Sequence, residues 1–171
     1  MKKYNITFVI VLLIIGLLST SCKKGGKSDV EKITLDSLHI TEFAQNIERK
    51  VINGDTVFYV KAFDKKGLKL KLQKNSIAYS SLDANFGPYY FDNYFNRISD
   101  AAVQAVAEGG DFKFVRYYKI GSEHHIVMRT YQDYTVSFFD WIVGLVDNEI
   151  KIQEGFIYNQ SSTLSNDLIY Y

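Results

Sequence analysis

Between residues 111 and 158, four apolar-rich runs alternate with short polar turns, a pattern that predicts an antiparallel β-meander. Residues 112–120 (F-K-F-V-R-Y-Y-K-I) and 124–131 (H-H-I-V-M-R-T-Y) flank the turn Gly121-Ser122-Glu123 and are rich in β-branched and aromatic residues. The third run, 136–146, is largely apolar on both of its period-2 faces, as in a central strand covered on both sides. Asp147-Asn148 is a two-residue turn that tolerates positive φ and closes a hairpin. In E-I-K-I-Q the alternation is strict, so Ile150 and Ile152 should face a core while Glu149, Lys151 and Gln153 face water. Gly155 interrupts that alternation and predicts a bulge that bends the sheet.

Upstream the period changes. Phe43, Ile47 and Val51 recur at helical spacing in residues 41–54, with Thr41 as cap, Ile40 as staple and Asn53-Gly54 as stop. Asp55 opens a short second helix to which Val57, Phe58, Val60 and Phe63 bring apolar contacts. L-K-L-K-L at 68–72 alternates like an edge strand with outward lysines. Residues 75–90 show no period and carry loop signals. From Asp92, read as a cap, a helix runs through Phe95, Ile98, Ala102 and Ala105 or Val106 to Gly109-Gly110. Helices followed by a run of strands define an α+β class, with the N-terminal helices packed on a curved four-stranded antiparallel meander.

The first residues have a separate character. Lys2 and Lys3 precede the apolar run 6–18, and Ser19-Thr20-Ser21 supplies the small residues a signal peptidase requires. The run is short for a spanning helix. L-S-T-S-C, ending at Cys22, resembles the lipobox of bacterial lipoproteins, with its Leu one place further upstream than usual. That resemblance implies cleavage before Cys22, a diacylglycerol on its sulfur and further acylation. The chain then divides into a signal peptide (1–21), a lipidated cysteine with a polar, Gly-containing tether (22–38) and one α+β domain (39–171). No Asp follows the cysteine, which resembles outer-membrane rather than inner-membrane lipoproteins, so the expected place is the cell envelope, with the outer membrane favoured. Lys23, Lys24 and Lys27 lie against anionic headgroups or form a solvated spacer.

Composition narrows the chemistry. The chain has one cysteine; with Cys22 acylated, disulfide, redox and thiolate-metal chemistry are excluded. The 20 basic residues less Lys2 and Lys3 leave 18 against 19 acidic, near neutrality, which argues against a nucleic-acid partner. Aromatics at 15% fill strands and core or form a stacking platform. The three histidines lack H-x-H or H-E-x-x-H spacing, so neither a metal nor any other cofactor is expected.

His124 and His125 are strand neighbours and must point to opposite faces. His125 is the candidate general base and Asp140, on the adjacent strand, its orienter. A carboxylate among apolar residues is costly unless paired. Asp140 is therefore either a functional acid with raised pKa or the partner of Arg116 or Arg129 across the sheet. Trp141 should point away from Asp140 and pack. Tyr117, Tyr118 and Tyr131 bring hydroxyls, and Tyr117, Tyr131 and Trp141 are candidate ligand-binding residues.

The element order, the helix ending in Asn53-Gly54-Asp55, and the final V-D-N-E-I-K-I-Q-E-G-F-I-Y together resemble the cone-shaped nuclear transport factor 2-like (cystatin-like) fold over residues 40–158. Glu149-Ile150-Lys151-Ile152 is only a loose counterpart of that family's last-strand motif. The resemblance implies a pocket between sheet and helices, used as an active site in relatives such as ketosteroid isomerase and scytalone dehydratase, and elsewhere as a ligand cavity or dimer surface; no catalytic motif carries over. The expected function is a membrane-anchored, non-catalytic binding domain for a small apolar ligand or a protein partner. The alternative is a small acid–base enzyme of the isomerase, dehydratase or hydrolase type.

Overall fold

The computed structural model describes residues 33–75, 86–158 and 162–164. The expected signal peptide, Cys22, the expected tether as far as residue 32 and residues 76–85 of the loop expected over 75–90 lie outside the described residues, whereas residues 86–90 of that stretch are helical. Residues Ile33–Tyr171 cluster as one unit; Ile33 N–H donates to Asn148 Oδ1 at 3.1 Å, and Leu35 packs on the core.

Asp36 starts the first helix, α1 (Ser37–Ile52), because its carboxylate accepts the His39 N–H at 2.9 Å and fills an otherwise unpaired donor. That hydrogen bond holds the Asp36 carboxyl at a pKa of about 2. The expected cap, Thr41, lies inside the helix, and Ile40 is a core residue instead of a staple. The buried stripe is Ile40, Ala44, Ile47 and Val51, with Phe43 half-buried beside it. Gly54 at φ +77° reverses the chain. Asp55 then caps α2 (Thr56–Lys61) by accepting the Phe58 N–H at 2.9 Å. Tyr59 is the buried residue of α2, and Val57 faces solvent against expectation.

The L-K-L-K-L segment is a helix, α3 (Lys65–Asn75). Asp64 accepts the Gly67 N–H at 2.8 Å and starts it, and Leu68 and Leu72 are buried one turn apart while Leu70 is 58% exposed. Two-residue alternation of Leu and Lys thus hid a four-residue core spacing. The last helix, α4 (Phe86–Ala107), starts before Asp92, which is no cap but pairs with Lys65 at 2.7 Å. Gly109 at φ +89° ends the turn that follows it.

Strands β1 (Asp111–Ile120), β2 (Glu123–Gln132), β3 (Thr135–Val146) and β4 (Glu149–Ile157) form the antiparallel meander, and the short β5 (Ser162–Thr163) adds to β4. The fold is α+β, with helices on one face of the sheet. Asp147 and Asn148 take φ of 50° and 64° in the β3–β4 turn, as expected. Register shifts fall at Val115 and Gln153, and such bulges bend strands. Gly155 is not the bulge: it pairs with Trp141, and a Cβ there would meet the indole at 2.0 Å. The glycine makes room for the ring. Along β3 both faces are covered only near the middle; Val136 and Phe138 are exposed.

Ile126, Met128, Trp141, Val143 and Ile152 face the helices and are buried there. Phe63 sits edge-on to Trp141, 5.7 Å between centroids, and Phe95 packs on Phe63 at 4.8 Å. Ile152 exchanges backbone hydrogen bonds with Ala62 and Asp64, each 2.8 Å, pinning the α2–α3 junction to β4. The Glu48 carboxylate accepts the Phe114 N–H at 2.8 Å and ties α1 to the edge strand.

Candidate functional site

Two places gather polar chemistry. The first is on the sheet face turned away from the helices. His125 and Asp140 alternate outward where Ile126 and Trp141 alternate inward, and Val127 lies directly across from Asp140. His125 Nδ1 and Asp140 Oδ1 are 3.0 Å apart, and Tyr118, the cross-strand neighbour of His125, donates its hydroxyl to Asp140 Oδ2. Tyr118 stacks on the imidazole at 4.7 Å, and the Arg116 guanidinium lies 5.2 Å from the Tyr118 ring centroid. Burial, then the bond to Asp140 and its charge, push the Tyr118 hydroxyl pKa up.

The pairing expected of His125 and Asp140 therefore forms, but the pairing of Asp140 with an arginine does not. Arg129 bonds Asp111 instead, because it lies across from Lys113 and Phe138, toward the other end of the strand. His125 and Asp140 are 7% and 8% exposed. A general base must present a free nitrogen to a substrate. Here Nδ1 is engaged, and Nε2 is sealed from solvent, 3.9 Å from Glu123 Oε2 and without a hydrogen bond. As it stands, the cluster gives a buried carboxylate two hydrogen-bond partners and presents no free imidazole nitrogen to a ligand.

The remaining sequence candidates do not converge. His124 is on the helix-side face, where its Nδ1 lies 2.9 Å from the Tyr117 hydroxyl. Burial, with Lys119 and His125 nearby, lowers the pKa of His124. Trp141 is fully buried; its indole N–H is turned toward the Tyr59 hydroxyl without completing a hydrogen bond. Tyr131 sits on the outer face at 38% exposure, so Tyr117, Tyr131 and Trp141 share no pocket.

The second place is a groove of about 910 Å³ between α1, α2 and the start of β4, open to solvent. Phe43, Phe58 and Ile150 form its apolar floor, and all three are half-buried against the core. The volume lies within the usual range for small-molecule sites. Around the floor stand Arg49, Lys61 and Lys151, with Glu42 and Glu149. Lys151 is committed: it pairs with Glu149 at 2.6 Å, which lowers the Glu149 pKa, and it donates to the Lys61 carbonyl at 2.9 Å. Among the described residues no ion pair engages Arg49 or Lys61. Ile33, where the described chain begins, also lines the groove.

Sequence reasoning named Phe43 and Phe58 as core contacts and Arg49 as solvent-facing, without joining them. The available signal was an excess of aromatics: α1 and α2 carry more apolar bulk than one core-facing stripe requires.

No protein-family model matches the chain, and no curated protein matches it. Among solved structures it is similar to a phospholipid-binding protein from Ralstonia solanacearum in complex with a phospholipid. The two share 9% sequence identity and a TM-score of 0.45, over 78% of this chain and 80% of that one. A likeness at that level transfers no ligand.

Proposed function

We propose that this chain is a cell-envelope lipoprotein, anchored through Cys22 with the outer membrane favoured, whose α+β domain binds a ligand without catalysing a reaction. The observation that carries the binding part is the groove of about 910 Å³, whose apolar floor is preformed by Phe43, Phe58 and Ile150 rather than requiring the core to open. The sealed state of His125 supports a non-catalytic role over acid–base chemistry. The address is supported by Lys2-Lys3, the apolar run 6–18 and L-S-T-S-C. Acylation at about 0.8 kcal/mol per buried CH₂ makes anchoring by more than one chain durable. The cone-shaped fold of the nuclear transport factor 2-like proteins remains the proposed lineage.

Two measurements test this. Intact mass of the protein purified from bacterial membranes should correspond to residues 22–171 plus diacylglycerol, a species absent from Cys22→Ala; a mass starting at Met1 would overturn the address. Titration with a solvatochromic apolar probe such as a naphthalene sulfonate should give saturable binding that Phe58→Asp abolishes under conditions where circular dichroism shows the variant folded; its thermal midpoint should fall, because Phe58 also packs on the core. Equal probe binding by that variant would remove the groove from the proposal.

A further inference from the structure

The groove has a head end as well as an apolar floor. Arg49, in the last turn of α1, and Lys61, at the end of α2, are exposed cations beside Phe58 and Ile150, and no ion pair among the described residues neutralises them. Of the two acids at the groove, Glu149 is held by Lys151. Glu42 is seven residues before Arg49 on the same helix, about 10 Å along its axis. An apolar floor with two exposed cations on its rim, neither in an ion pair among the described residues, complements an acyl chain that ends in an anionic group, and Arg in particular offers a fork suited to phosphate.

The source of such a molecule follows from where the chain enters. Ile33 lines the groove, and its backbone is bonded to Asn148 at the adjacent β3–β4 turn. With a lipid on Cys22, the 11 residues 22–32 reach at most about 36–40 Å when fully extended. The groove is then confined close to the bilayer surface that holds the anchor.

We infer that the groove takes one acyl chain of an anionic phospholipid from that bilayer, its net negative headgroup drawn to Arg49 and Lys61. The inference rests on the ligand-binding reading above and adds the class of ligand. The apolar floor supplies affinity, and the two cations supply the choice among lipids.

The test uses the natural full-length chain in dodecylmaltoside micelles doped with photoactivatable phosphatidylglycerol, phosphatidylcholine or oleate, each with a diazirine on the acyl chain. Adducts are quantified and mapped by peptide mass. The expected result is a phosphatidylglycerol adduct on peptides containing Phe43, Phe58 or Ile150, about tenfold or more above phosphatidylcholine. Arg49→Gln with Lys61→Gln should erase that preference, the phosphatidylglycerol adduct falling about tenfold or more and the phosphatidylcholine adduct much less. Both side chains are exposed, so thermal midpoints should stay near that of the natural chain. Equal labelling by the two phospholipids, unaffected by the double substitution, would overturn the anionic-head inference and leave a general apolar site. Preferential labelling by oleate would overturn the phospholipid source. No labelling of the groove peptides by any probe would overturn the binding reading itself.

Discussion

Gly155→Ala should be among the most damaging small substitutions in this domain. A Cβ at Gly155 would lie 2.0 Å from Trp141 Cε3, 2.6 Å from Cζ3 and 2.8 Å from the Asp140 carbonyl oxygen. The indole cannot yield easily, since it is fully buried between Phe139, stacked at 5.4 Å, and Phe63, edge-on at 5.7 Å. The carbonyl belongs to the central strand and cannot move without the sheet. Overpacking of a rigid core costs typically 1–3 kcal/mol, and contacts this short put the expected loss at about 3 kcal/mol. For a domain of this size that lowers the thermal midpoint by roughly 10 °C. Urea unfolding followed by far-ultraviolet circular dichroism measures it in every variant, including those that lack Trp141, the only tryptophan. Trp141→Leu alone leaves a cavity and costs about 3 kcal/mol or more, but in its presence Gly155→Ala should become cheaper by at least about 1 kcal/mol. Single variants that add without coupling, or a Gly155→Ala change below about 0.5 kcal/mol, would refute the account of Gly155 as space for the ring.

Three further outcomes are expected. Leu68→Ala should cost about 2–5 kcal/mol and Leu70→Lys almost nothing in chemical denaturation, because Leu68 is fully buried and Leu70 is 58% exposed; equal costs would contradict a helix there. The His124 pKa is depressed chiefly by burial. The unfolded chain therefore takes up a proton below about pH 6.5 that the folded chain resists, and stability contributed by neutral His124 is lost as pH falls through that value. Proton NMR should find its titration below the ordinary histidine range, and a normal midpoint would refute the assignment. Asp36 behaves as a depressed carboxylate with pKa of about 2. Its cap is present above the unfolded value near 3.9 and is lost as pH falls toward 2, so Asp36→Ala should flatten stability across that window and shorten α1 by amide exchange.

The meander was legible because its signals are local. Alternation marks Ile150 and Ile152, and Asp147-Asn148 is a pair that accepts left-handed backbone. The α+β class followed from element order. What was misread depended on distant partners. L-K-L-K-L satisfies a strand template and a helix template at once, and only the burial of Leu68 and Leu72 against the assembled core decides between them. Thr41 and Asp92 are good cap residues in isolation, yet α1 and α4 begin a turn or more earlier. For α1, the competing acceptor Asp36 already holds the first free donor, His39 N–H.

The candidate site was legible in its parts and not in its consequence. Strand parity placed His124 and His125 on opposite faces and Asp140 opposite Trp141, and the structure obeys it. Parity cannot say which face is closed. The cost of burying Asp140 is met by two donors, His125 and Tyr118, on strands whose register brings them into reach. Once satisfied in this way, the carboxylate and imidazole are consumed by each other, and the most enzyme-like pair in the sequence becomes the one least available to a ligand. The groove shows the converse. Arg49 and Lys61 look like ordinary solvated charges, and Phe43 and Phe58 like ordinary core. Their significance appears only because α1, α2 and β4 leave a gap between them, with unpaired cations beside exposed ring surface. A proposed binding site made from residues that each satisfy a local rule has no sequence signature stronger than that excess, so Phe58→Asp should abolish binding and also cost stability, because Phe58 packs on the core, while the buried His125–Asp140 pair separates the two: His125→Ala strips Asp140 of one of its two donors and should destabilise by about 1–3 kcal/mol without changing ligand binding. Loss of binding in His125→Ala at unchanged stability would move the functional site back to the outer face of the sheet.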